Sequence, residues 1–503
     1  MSRPTNLSLL LITLVLATLF RRITTASAAR LAQTPGYGHV KRDAMRRAIV
    51  ASILLLLATG SAADENGALS VAYTEFTLAN GLHVILHEDH SVPVVTVNVW
   101  YHVGSANEKP GRTGFAHLFE HLMFEGSAHV PEGEFDRWLE AAGGDNNGST
   151  EDDRTNYVID APANALELAL FMESDRMGYL LGSLTPRTVD GQRDVVKNER
   201  RGSYEDAPYG KALLALPALL YPPGHPYSWP TVGSMDDLSA ASYDDVAQFF
   251  RTYYVPNNAS LVIAGDIDPA HARRLVEKWF GDIPRGPDTP PLVVPPALLP
   301  ATKRVTMTDR VQLPRLFVAW LSPARFQPAD GALELISWVL AGGRSSRLYR
   351  RLVYDLQIAQ EVDAYQQAES VGGQFLIDVT ARAGQDVEKI LQVVDEELDT
   401  LRREPVSQRE LSRSLNQVEA EFYRGMERVG GFDGKADQLN RYYTYTGLPD
   451  FFEGDIARYR ALSASDLQSA VERYLPRDRR VELIVMPASQ GSGVRDHGPE
   501  RQP

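Results

Sequence analysis

Ser242–Ala264 reads SYDDVAQFFRTYYVPNNASLVIA, and Ser463–Met486 reads SASDLQSAVERYLPRDRRVELIVM. Each stretch reads as a helix, Ser242–Tyr254 and Ser463–Tyr474, then a Tyr-x-Pro element, then an apolar strand, Ser260–Ala264 and Val481–Met486. The two Tyr-x-Pro elements, Tyr254-Val255-Pro256 and Tyr474-Leu475-Pro476, stand 220 residues apart. Between them runs a proline-rich stretch with Pro284, Pro287, Pro290, Pro291, Pro295, Pro296 and Pro300. Prolines that dense cannot continue a helix or a central strand, and they make a stiff extended linker. Similar ends on either side of a linker point to duplication. The expected organisation is a leader (1–63), an N-terminal domain (64–283), a linker (284–303), a homologous C-terminal domain (304–490) and a tail (491–503).

Each half mixes strands with helices. Glu75-Phe76-Thr77-Leu78 ends at the Asn80-Gly81 turn signal, Leu82–Leu86 alternates, and Val94–Val103 alternates in part. Pro93 precedes the last run, where the first position of a strand tolerates it. Ala163–Leu180 and Gly331–Leu340 read as helices. Strands grouped together and helices grouped together give an α+β class: two homologous domains of antiparallel sheet plus helices.

Composition narrows the function. The chain has 503 residues, 44% hydrophobic and 23% charged, the balance of a globular protein and not of a disordered, collagenous or multi-span one. A formal charge of −14 argues against nucleic acid as a partner, because that needs a basic face. No cysteine is present, so disulfides, thiolate metal sites and cysteine nucleophiles are excluded. At the N-terminus, Arg46 and Arg47 precede the apolar run Ile49–Leu57 and the small residues Ala58–Ala63. That order is a signal peptide with cleavage after Ala63, and Met45 is a plausible true start. Leu7–Phe20, at 14 residues, is short for a bilayer span. Removing the leader's eight Lys/Arg and one Asp leaves 43 basic and 64 acidic residues, a net of −21. The exported chain is expected in the periplasm or outside the cell, with no stable membrane span.

His117-Leu118-Phe119-Glu120-His121 carries the chemistry. On a helix, positions i and i+4 share one face a turn apart, so His117 and His121 can both address one ion. Glu120 stands beside them, where a carboxylate can accept a proton from a water at that ion. The order is the reverse of the zincin motif and matches the inverzincin pattern. A catalytic zinc wants three protein ligands and an open position. Without cysteine the third is His, Asp or Glu. The helical stretch Asp190–Tyr204 and its end offer Asp194, Glu199 and Glu205, and spacing alone does not choose among them.

The chain resembles the pitrilysin/insulinase family of zinc peptidases, in its shorter bacterial branch related to mitochondrial processing peptidase. The resemblance covers nearly all of residues 70–490. It is most specific at Val103–Glu108 running into His117–His121 and Phe124–Ser127, at Gly143–Thr150 followed by Asp153–Tyr157, and at Asp194–Arg200. It implies one Zn2+ per chain on His117, His121 and Glu199, with Glu120 as general base. It also implies that Asn147, Gly148, Ser149 and Thr150 form an edge strand pairing with the substrate backbone, and by type Asn147 can donate to the scissile carbonyl. Such an edge holds peptide through main-chain hydrogen bonds whatever its sequence. Many relatives have a glutamate seven residues before the third ligand. Here it is Gln192, on the same helix face as Glu199 and able to hydrogen-bond a metal-ligating side chain from behind, without charge.

A larger departure lies in the C-terminal domain. Active relatives carry an Arg and a Tyr seven residues apart that bind substrate and stabilise the oxyanion. After Gly342-Gly343-Arg344-Ser345-Ser346-Arg347-Leu348-Tyr349, those positions are Val353 and Gln360, with Arg351 and Tyr354 as neighbours that realignment could bring in. Losing one such donor costs about 3–4 kcal/mol in the transition state. The expectation is a peptidase of short or unfolded peptides, enclosed by a clamshell of two halves. Its metal-bearing chain would need a second homologous subunit to supply the Arg/Tyr pair. The alternatives are a non-catalytic, peptide-binding or structural subunit, and a mitochondrial presequence-processing subunit. Against the latter, the leader looks secretory.

Overall fold

A computed structural model of the protein describes residues 69–289 and 291–488. The expected leader, its cleavage site and Met45, and the tail 491–503, lie outside the described residues. Among the described residues, no helix is long and apolar enough to cross a membrane.

Two sheets form the frame. The first contains β1 (Thr74–Thr77), β2 (His83–Glu88), β3 (Val94–Tyr101), β4 (Asp145–Thr150), β5 (Thr155–Pro162) and β6 (Ala259–Gly265), in the order β1-β2-β6-β3-β5-β4. The second contains β7 (Lys303–Asp309), β8 (Arg315–Ser322), β9 (Ala359–Ala368), β10 (Gly373–Ala381) and β11 (Val481–Pro487), in the order β7-β11-β8-β10-β9. Without β1 the first order maps onto the second strand for strand, which is the duplication in structural form. The expectation of antiparallel sheets needs one correction. Each sheet contains a parallel pair, β2 with β6 and β7 with β11. The last strand of each half returns after a long helical excursion and inserts between two early strands, β6 between β2 and β3 and β11 between β7 and β8, and only such a crossover permits parallel pairing.

The helices that position the site and join the halves are α1 (Phe115–Leu122), α2 (Pro186–Arg200), α3 (Gly210–Leu220), α4 (Tyr243–Tyr253), α5 (Asp330–Ala341), α6 (Lys435–Thr446) and α7 (Ala464–Tyr474). The duplicated stretches quoted first become α4 with β6 and α7 with β11. Both helices start in the same way. Ser242 and Ser463 accept the N–H of Asp245 and Asp466, and each Asp side chain reaches back to its serine N–H. This reciprocal cap satisfies two N–H groups that a helix start otherwise leaves unpaired.

Each sheet is covered on one face by its own helices and on the other by a helix from the opposite half. Helix α3 lays Ala212, Leu216 and Leu220 against Phe317, Ala319, Leu376 and Leu483 of the second sheet. Helix α6 lays Ala436, Leu439 and Tyr442 against Ile85, Val262 and Ala264 of the first. A buried polar cluster fixes the latter contact. Asp437 accepts from Trp100 Nε1 (2.9 Å) and Asn156 Nδ2 (2.9 Å), and Asn440 donates to Asn98 Oδ1 (2.7 Å).

Candidate metal centre

Helix α1 begins at Gly114, whose φ is 89°. A Cβ there would come within 2.9 Å of Leu238 Cδ2 and of the Val232 carbonyl, so both conformation and space demand glycine. No side chain at Gly114 caps the helix. Glu108 does so from upstream, accepting the N–H of Gly114 at 2.9 Å and of Ala116 at 2.8 Å. Burial pushes the Glu108 carboxyl up, to about 8, against the pull of N–H groups from Ala116, Gly114 and Phe115. One face of α1 buries Leu118, Phe119 and Leu122, while His117, Glu120 and His121 are half-buried.

Helix α2 starts at the Thr185 cap with Pro186 in its first turn, and ends where the chain widens into a single π-turn over Arg201–Glu205. Glu199 lies in its last turn and faces α1. One Glu199 carboxylate oxygen stands 3.2 Å from His121 Nε2 and 3.6 Å from His117 Nε2. Each of the three residues offers a ligand atom, and these atoms all lie within 4.8 Å of one another. Asp194 and Glu205, equal candidates by type, are not part of this group. The His121 hydrogen bond draws the Glu199 carboxyl below its usual range, and burial lowers His117. Two imidazoles and one carboxylate are the donor set of a catalytic zinc, with no thiolate to close a structural site. The residues fit that ion.

Among the described residues, strand β4 passes beside α1 as the free edge of the first sheet, paired only with β5. Its alternation divides the four predicted residues. Gly148 faces Glu120, where a Cβ would meet Glu120 Cγ and Phe124 Cε2 at 3.1 Å. Thr150 faces the same way and donates Oγ1–H to Glu120 Oε2 at 2.6 Å. Ser149 points away, donating to Asn156 Oδ1 at 2.6 Å and accepting from Arg154. Asn147 is exposed, and its Oδ1 accepts the Gly148 N–H at 2.8 Å. Gln192 does not reach a ligand atom. It donates to Glu125, whose carboxyl is raised chiefly by burial.

The C-terminal positions of interest lie in the other half. Val353 packs on that half's core, Gln360 is exposed on β9, and Tyr354 is 74% exposed. Arg351 is committed to Glu396 and Glu397. The roles of Glu108 and of the Thr150 hydroxyl have no local sequence signal. The first acts across a loop and the second depends on how an edge strand crosses a helix.

A reversed His-x-x-Glu-His helix beside an open sheet edge defines the inverzincin class of peptidases. Residues 83–216 match the profile described as insulinase (peptidase family M16), and residues 240–418 match the peptidase M16 inactive domain. The zinc protease PqqE of Helicobacter pylori is 27% identical over 457 residues, spanning 89% of this chain and 100% of that one. A crystal structure of a protease from Helicobacter pylori superposes with a TM-score of 0.75 at 26% identity, covering 83% of this chain and all of that one. The periplasmic protease PqqL of Escherichia coli shares the fold, with a TM-score of 0.69 at 18% identity over 84% of this chain and 48% of that one. The chain belongs to the M16 family of insulinase- and pitrilysin-like zinc peptidases.

Proposed function

We propose that this chain is a zinc metalloendopeptidase of short or unfolded peptides, exported to the periplasm or beyond, and the metal-bearing subunit of a hetero-oligomer. The observation that carries the reading is the convergence of His117, His121 and Glu199, with Glu120 next to them and an open strand edge alongside. A bound zinc ion would supply Lewis-acid polarisation of the peptide carbonyl and lower the pKa of the attacking water.

The rest falls to the chain's own residues. The free edge of β4 holds the peptide extended through main-chain hydrogen bonds. Glu120 takes the proton of the attacking water and returns it to the leaving amine. Thr150 holds the Glu120 carboxylate in place for that transfer. Val353 has no side-chain donor, so oxyanion stabilisation from the C-terminal side comes from a second homologous chain carrying the Arg/Tyr pair. Export is supported by the order of charges, apolar run and small residues in the leader, and by the periplasmic location of the Escherichia coli protease that shares the fold.

The inactive-domain match bears on the C-terminal half. There α5 follows the second sheet's β8 as α1 follows β3, and its sequence DGALELISWVLA holds no histidine. The metal residues belong to the N-terminal half, within the insulinase match.

The test is cleavage of a mixed quenched-peptide library by residues 64–503 with zinc, alone and with candidate partner chains, against Glu120→Gln. Turnover that Glu120→Gln lacks supports the reading. Wild-type turnover by Glu120→Gln removes Glu120 as the base. A folded, zinc-loaded chain that binds peptide without cleaving it, with every partner, is a non-catalytic subunit.

A further inference from the structure

We propose that Glu108 is a positioning residue for the metal ion: its buried carboxylate closes the N-terminus of α1 and offsets the positive end of the helix that carries His117 and His121. This rests on the metal reading above and adds a residue to it.

The argument begins with where the ligands sit on their helix. Helix α1 has only eight residues, and His117 is the third of them. His121 is the seventh and stands in the last turn, so it is His117 that reaches the ion from the first turn. Unpaired N–H groups concentrate partial positive charge there, equivalent to about half an elementary charge, and the effect falls off within that turn. On the His117 side a bound cation and that helix end repel one another. The first turn itself contains no acidic residue, and Gly114 brings no capping side chain. Beyond Glu120 and Glu199 at the site itself, the group that closes this helix end comes from elsewhere in the fold.

Glu108 supplies it. The residue is 7% exposed. Its Oε2 takes the Gly114 N–H and its Oε1 takes the Ala116 N–H, so both oxygens act as acceptors on the helix end, and with burial raising the group to about 8 it is the charged carboxylate above that pH. The loop that delivers it is itself fixed. Asn107 Oδ1 accepts the Gly104 N–H at 3.0 Å, and Gly104 lies so close to the segment after β4 that a Cβ would come within 2.3 Å of the Glu151 carbonyl. One carboxylate thereby ties α1 to the chain just beyond the edge strand. It holds His117 and Glu120 in register with β4 while it balances the charge beneath the ion. Cation and carboxylate favour each other, so removing the carboxylate weakens the ion.

The experiment measures zinc affinity by chelator competition on the full chain at pH 8.5, well below the melting temperature. It compares wild type, Glu108→Gln, Glu108→Asp and His117→Ala. The expected order is wild type, then Glu108→Asp, then Glu108→Gln, with the last about ten- to a hundredfold weaker, the usual loss when a group orienting metal ligands is removed. A purely structural cap would lower the melting temperature and leave zinc affinity in place. A folded Glu108→Gln with wild-type affinity overturns the proposal. If Glu108→Gln does not fold, Glu108→Asp decides: its charge remains, but it is one methylene too short to span both N–H groups, and unchanged affinity overturns the proposal equally. A wild type that takes no more zinc than His117→Ala fails the metal reading, and this proposal with it.

Discussion

Thr150→Val isolates the contribution of one hydroxyl. Thr150 Oγ1 donates to Glu120 Oε2 at 2.6 Å, a short bond of the kind formed to an ionised acceptor. Valine is also β-branched and suits a strand, so β4 should keep its pairing with β5. What disappears is a hydrogen bond to a charged group, worth about 1.5–3 kcal/mol. At about 1.4 kcal/mol per tenfold, kcat should fall roughly ten- to a hundredfold. KM should stay near wild type, because the backbone of β4 still holds the peptide. Zinc affinity should hold too, since Thr150 touches the base and not a ligand atom. The assay is steady-state cleavage of a quenched peptide by the active assembly, with Thr150→Ser restoring most of the rate. A wild-type kcat in Thr150→Val would mean that the hydroxyl does not orient the base. An equal loss in Thr150→Ser would trace the effect to strand shape instead.

Gly114→Ala should cost several kcal/mol of stability and weaken zinc binding. It combines a left-handed φ of 89° with a Cβ 2.9 Å from Leu238 and Val232, and thermal melts with zinc titration check it. Asp437→Ala should destabilise by about 2–6 kcal/mol in urea unfolding, because the buried donors of Trp100 and Asn156 lose their acceptor, while Arg441 keeps Asp433. Glu369 is 4% exposed, and burial foremost, with Asp153, Asp152 and Glu151 nearby, pushes its carboxyl up to about 8 against the pull of Arg325. Between about 4.5 and 8 the folded chain keeps a proton that the unfolded chain releases, so this group's contribution is lost as pH rises through that window. Glu369→Gln should therefore gain on wild type between pH 6 and pH 8.5, by about 2 kcal/mol in urea melts. A constant difference across that range would refute it.

What the sequence made legible follows from what is local in the chain. The His117–His121 spacing fixes a shared helix face, and the paired Ser242 and Ser463 stretches recur because the same capped helix must end before the same inserted strand. Glu199 is different. Nothing within α2 distinguishes it from Asp194; it joins the two imidazoles because α2 packs on α1 with its last turn opposite them. Likewise the edge strand followed only from the family resemblance, since Gly143–Thr150 by itself has the composition of a turn, and its division into Gly148 and Thr150 toward Glu120 and Ser149 toward Arg154 depends on register with β5. The parallel pairs β2·β6 and β7·β11 were hidden for a related reason. An inserted returning strand has the same apolar pattern as any central strand.

The reciprocal covering of the sheets bears on how a peptide reaches the site. If the two halves of this chain opened as jaws, α3 would lift from the second sheet and α6 from the first. That would expose Leu216, Leu220, Phe317, Leu376, Leu483, Ile85, Val262 and Leu439, all buried in the shared clusters. At about 1.5–3 kcal/mol for each large apolar side chain, the cost is more than 10 kcal/mol, as much as the whole stability of an ordinary domain. The halves are therefore not the moving parts. Nor is opening needed, since Glu199 keeps 39% and His121 24% side-chain exposure. The metal residues and the free edge of β4 already face outward. A site so exposed is poor at excluding water from the reacting carbonyl, and enclosing it requires a surface that the described residues do not fold over it. A second homologous chain closing over β4 and α1 would provide that enclosure and the missing oxyanion donors together, which is why the partner and the open site belong to one argument.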